Sequence, residues 1–166
     1  GESPSGKPTP PERSTDGPTP DPNGDGVPDE DTPTPIEFEV ITQVALAKSG
    51  SVAVAADGTF DVVFTMTVGN YGNTVLENVQ VRDSLLEFYG PTNLSADHIS
   101  VESGDFTPNP AYDGLNDLNL LTGTDSLGLD ETGTLTLSLT GISIYEQVDT
   151  YNTAIASGTD PGGKPA

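Results

Sequence analysis

The chain has 166 residues, enough for one domain and a linker. Its 26 Asp+Glu against five Lys+Arg give a net charge of −21, which repels nucleic acid and anionic membranes and drives a compact state apart unless cations bind. The absence of cysteine excludes disulfides, thiol catalysis and thiolate metal sites, and there is no apolar run of about 18 residues to make a spanning helix.

Residues 1–35 hold ten of the 15 prolines among Thr, Ser, Gly and acids, a composition that cannot bury a core. They read as an extended, semi-rigid linker that could reach on the order of 100 Å at polyproline rise. The opening GESPSGKP is not a signal peptide, so the chain is expected to be a mature product or an excised piece. Within the arm, residues 21–32 run DPNGDGVPDEDT. Oxygen ligands at the first, third, fifth and ninth places with Gly at the sixth are the pattern of a calcium loop. Gly26 would let Asp21, Asn23 and Asp25 converge on one ion, Val27 would offer its carbonyl, and Asp29 the next ligand. The twelfth place is Thr32, so Asp31, Glu30 or a carboxylate from elsewhere must replace the usual bidentate Glu. No amphipathic helix flanks the loop, which excludes an EF-hand pair; the loop resembles the acidic loops of thrombospondin type 3 repeats. A merely solvated acidic linker is the alternative.

Residues 36–158 read as about seven short strands. The run 36–48 alternates Ile36, Phe38, Val40, Val44 and Leu46 against polar residues, with 51–56 as a short continuation. Runs 60–68 and 74–85 flank a turn of Gly69, Asn70, Gly72 and Asn73, which predicts paired strands with Phe60, Val62, Phe64, Met66 and Val68 on one parity and Val75, Val79, Val81 and Leu85 on another. Weak strands follow at 98–101 and 118–121, then a strongly alternating one at 133–144 and a last one at 150–157. Residues 84–89 could form one helical turn. The pattern is all-β, a two-sheet sandwich of immunoglobulin type behind an extended arm. Residues 159–166 read as the start of a next linker.

Lys48 near the end of the first strand, TMTVGNYGNTVLENVQVRDSL, DSLGLDETGTLTLSLT and YNTAIASGTDPGGKP together resemble the conserved repeat domain of unknown function found in tandem on bacterial and archaeal surface proteins. The resemblance covers residues 36–165. It implies an immunoglobulin-like module of a stalk, adhesin, surface layer or fibre, without catalytic activity. Asp130 departs from it, standing where the family commonly has Gly. The chain's two ends also echo each other: residues 1–8 match residues 158–165 at five of eight positions, as in one period of a tandem array.

Lys48, Asp83 and Asn152 carry the three groups of an intramolecular isopeptide bond: amine, carboxyl and carboxamide. Parity points Lys48 and Asp83 inward, and Asn152 opens a last strand expected beside the first. Burial favours uncharged forms in general, so the amine could attack the amide carbon while the carboxyl group shuttles protons. Such bonds occur in collagen-adhesin and pilin domains that this fold resembles. A Lys48–Asp83 ion pair at the rim, or a snorkelling Lys48, is the simpler reading and is preferred from sequence. Asp113, Asn116 and Asp117 form a candidate second cation site, though as solvated surface they need no ligand. His98 lacks a metal-ligand partner, Asn93-Leu94-Ser95 is a lone glycosylation sequon, and no nucleophile adjoins an activating group. The expectation is therefore a non-enzymatic, extracellular structural module that uses calcium and has other copies of itself as partners. The alternative is an adhesin-type binding module recognising a protein or glycan through its loops.

Overall fold

Among the described residues of the body seven strands form, nearly all where apolar and β-branched residues recur with period two. They are β1 (Val44–Val54), β2 (Phe60–Asn70), β3 (Leu76–Asp83), β4 (Ile99–Ser103), β5 (Asp125–Leu127), β6 (Thr132–Ile142) and β7 (Ala154–Thr159). This computed structural model describes residues 13–27, 31–146 and 151–166, and the chain divides into two units, Gly1–Glu39 and Val40–Ala166. The second unit is a β-sandwich of two antiparallel sheets, ordered β1-β2-β6-β4 and β5-β3-β7. Its core lies between them. Val62, Met66 and Val68 of β2 and Leu135, Leu137 and Leu139 of β6 face Leu76, Val79 and Val81 of β3 and Leu127 of β5.

The runs either side of the Gly/Asn turn do not pair with each other. β2 pairs with β1 and β6, whereas β3 pairs with β5 and β7, so the turn is an arch from one sheet to the other. Asn70 holds the arch. Its buried Nδ2 donates to the carbonyls of Thr74, Leu127 and Gly128, and its Oδ1 accepts the Gly72 amide at 3.0 Å. The segment before β1 clamps the outside: Tyr71 N–H donates to Gln43 O, and Asn73 N–H to Ile41 O. Only glycine fits at 72, because a Cβ there would lie 2.3 Å from Ile41 O.

These bonds also explain why the first strand is displaced from the expected 36–48 to 44–54. Residues 41–43 spend their backbone on the arch, and Ile36, Phe38 and Val40 stay exposed. The parity of β3 differs as well. Asn78 takes a left-handed φ of 54°, and the β3 register shifts between Leu76 and Val79. Leu76 thus faces inward together with Val79 and Val81, while Val75 is exposed. The 118–121 run forms isolated bridges at Asn119 and Leu121 rather than a strand, and the short β5 lies after it. A helical turn within 84–89 is present as a 3-10 turn at Leu86–Phe88. Asp130, with φ of 57°, sits in the left-handed region where glycine is at ease.

Residues 159–166, expected as the start of a next linker, lie against the sandwich. Ala166 N–H donates to Gly158 O, and the buried Asp160 carboxylate accepts the Gly162 and Lys164 amides and the Thr42 hydroxyl. Lys164 Nζ reaches Val40 O at 3.4 Å. The segment leading into β1 and the segment leaving β7 therefore lie together at one end of the sandwich.

Two outcomes test this arrangement. Asn70→Ala should lower stability by about 1–3 kcal/mol in urea titration, through unanswered buried carbonyls, and Asn70→Asp should cost more, since a carboxylate would face three carbonyl oxygens. The Lys164 amide, chief among its donors, holds the Asp160 carboxyl below its ordinary value. A depressed carboxyl stabilises the fold above its unfolded pKa of about 4 and loses that contribution as pH falls through the folded value. Asp160→Asn should therefore flatten the acid limb of a stability–pH profile and leave its alkaline limb unchanged.

Candidate functional site

Where β1 and β7 run alongside each other, the two sheets meet without backbone pairing. Lys48 of β1, Asp83 at the end of β3 and Asn152, two residues before β7, come together at this seam. Lys48 Nζ hydrogen-bonds both Asp83 Oδ2 and Asn152 Oδ1. Asn152 Nδ2 donates to Asp83 Oδ1 at 2.7 Å and to Ser84 O at 2.9 Å. One carboxylate thus bridges the amine and the carboxamide nitrogen. The Lys48 side chain is 13% exposed and that of Asp83 is fully buried, so this is no rim pair and Lys48 does not snorkel.

An aromatic floor shapes the amine's surroundings. Lys48 Nζ lies 4.3 Å from the centroid of the Phe64 ring, and Phe64 meets Phe88 edge-on at 6.3 Å. Gly50, opposite Phe64 in the β1–β2 ladder, leaves room for that ring, since a Cβ at 50 would lie 3.1 Å from it. Burial pushes the Lys48 amine below its usual value, against the opposing pull of Asp83. Beside the cluster, Val62, Phe60, Ile142, Phe64 and Asn152 line an open, largely apolar groove of about 330 Å3.

The arm's acidic loop is a compact coil of side-chain-to-backbone bonds. Asp21 accepts the amides of Gly24 at 2.7 Å and Gly26 at 2.9 Å, Asn23 accepts that of Asp25, and Asp25 that of Val27. Gly24 and Gly26 both take left-handed φ values, 72° and 82°. Asp16 N–H donates to Thr32 O, and Arg13 stands 3.9 Å from Asp31, so the chain before the loop returns beside the chain after it. An all-oxygen donor set of this kind suits calcium, and each carboxylate oxygen that accepts an N–H keeps a lone pair free. Among the described residues no three His, Cys, Asp or Glu side chains are gathered around one point. Asp29 and Glu30 lie outside the described residues.

Asp113, Asn116 and Asp117 are also brought together, but their oxygens serve their own loop. Asp113 Oδ1 accepts the amides of Leu115, Asn116 and Asp117, and Oδ2 accepts Asn116 Nδ2. The Asn116 side chain, chief among these donors, holds the Asp113 carboxyl far below the usual range. Asp117 accepts Asn109 Nδ2 and the Asn119 amide. His98 belongs to a capping box with Ser95, and Asn93 bonds to Ser143 and Gly141.

No family model, curated protein or solved structure matches the chain. The sequence reading missed Phe64, Phe88, Gly50 and the Ser84 carbonyl as parts of the lysine site. Phe64 and Gly50 had a signal, since a glycine interrupting a β-branched strand marks a close approach.

Asp83→Ala leaves a nearly buried amine without its carboxylate and should cost about 3–5 kcal/mol in denaturant titration. Lys48→Met combined with Asp83→Leu should cost less than Asp83→Ala alone, because no buried charge is left unpaired and only the neutral Asn152 carboxamide loses partners.

Proposed function

We propose that this chain is a structural module of an extracellular, calcium-stabilised surface protein, stalk or fibre, with other copies of the same module as its partners. The observation that carries this reading is the Asp21–Val27 coil, an oxygen-only loop within a proline-rich arm. Asp21, Asn23 and Asp25 would ligate through side chains, Val27 through its carbonyl, and Asp29 and Asp31 would complete the set. Calcium bound there would offset part of the net charge of −21 and replace a compliant linker by a fixed spacer. The resemblance to tandem surface repeats and the echo between residues 1–8 and 158–165 support the same reading. The role is mechanical, and no turnover belongs to it.

Limited proteolysis of the arm with calcium and with chelator tests this. At a calcium concentration about 100-fold above the dissociation constant, linkage protects by about 2.7 kcal/mol, so cleavage within residues 21–32 should slow by about two orders of magnitude. Replacing Asp21, Asn23 and Asp25 together by Ala should abolish the difference. Equal cleavage with and without calcium in the unaltered chain would overturn the reading. Saturable binding of a protein or glycan by the isolated module, without self-association, would favour an adhesin instead.

A further inference from the structure

We infer that Lys48 and Asn152 are joined by an intramolecular isopeptide bond, formed autocatalytically with Asp83 as the proton-transfer group. Three features of the seam converge on this. The amine contacts the carboxamide whose carbon it would attack. Asp83 touches both nitrogens of the exchange, the incoming Lys48 Nζ and the departing Asn152 Nδ2. Ser84 O fixes the amide by its second N–H, which turns the carbonyl side toward the lysine.

The chemistry balances without any further reactant. Asp83 takes one proton from the Lys48 ammonium, leaving an amine with a free electron pair against the Phe64 ring. That pair attacks Asn152 Cγ and the Nζ–Cγ bond forms. A second proton passes from Nζ through the carboxyl group to Nδ2, the Cγ–Nδ2 bond breaks, and ammonia departs. The products are a secondary amide, ammonia and a protonated Asp83, which can donate to the new amide oxygen. No oxidation or reduction occurs.

An unstrained amide and an amine react slowly in water, but groups fixed in attack geometry gain effective molarities of about 10⁵–10⁸ M. The exchange also removes a buried ion pair, whose desolvation is costly, and leaves neutral groups in its place. Asn152 lines the open groove, which gives ammonia a path to solvent.

Intact mass of the unaltered chain decides the matter, with and without calcium, since the bond needs no metal. The expected mass is below the sequence mass by one ammonia, and proteolytic mapping should recover a branched peptide that joins the Lys48 and Asn152 segments. Mapping is needed because a succinimide at Asn23-Gly24 loses the same mass. Lys48→Arg, Asp83→Ala and Asn152→Ala should each restore the full mass, and in denaturing gels each should migrate more slowly than the looped parent. A full-mass parent, or a loss mapped to Asn23 with Lys48 free to react with an amine reagent, would overturn the inference. The parent measurement stands even if a variant fails to fold.

Discussion

A carboxylate with no access to water must find its counter-groups within the protein, and Asp83 is such a carboxylate. It sits at the end of β3 and is answered by Lys48 from β1 and Asn152 from the approach to β7. Neighbouring bonds fasten its backbone: its N–H donates to Leu118 O, and Tyr112 Oη–H donates to its carbonyl at 3.3 Å. Burial, chiefly, raises the Tyr112 hydroxyl well above its ordinary value, so it remains a donor. Through most of the core the two sheets meet by apolar contact, which is tolerant of sliding. At this seam the partners are directional, and they fix how far β1 stands from β7.

The same demand explains the aromatic residues beneath. Phe64, braced edge-on by Phe88, puts an apolar face against the amine, and a less polar surrounding strengthens the polar contacts made there. Gly50 is the backbone concession that lets Phe64 lie there. The site is thus built from four separate stretches of chain, each contributing something different: charge, shape, an acceptor or an amide.

How much of this the sequence disclosed depended on distance along the chain. Local patterns were readable: the alternation of Leu135, Leu137 and Leu139, the seven-strand count, and the sharp turn at Gly26, whose φ is 82°. Choices settled by remote groups were not. Whether 69–73 makes a hairpin or an arch depends on Asn70 reaching Leu127 and Gly128 and on residues 41–43 closing over it. The reversal of parity at Asn78 rests on one left-handed residue whose side chain bonds Thr159 at 2.9 Å. Parity correctly turned Lys48 and Asp83 inward, yet it says nothing of depth, and depth is what separates a buried triad from a surface ion pair.

The shared location of Val40 and Asp160 governs how the sandwich would answer tension. A pull between these points loads β1 and β7 from their common end, where single hydrogen bonds open one after another like a zipper. With Lys48 and Asn152 joined, the tear stops there. Only about 16 residues of slack, roughly 55 Å, could be drawn out before the force ran through one covalent amide. The 104-residue separation between the two side chains would then mark the part of the chain that never feels the load. Such a domain yields a little, recoverably, and then behaves as a tether of fixed length.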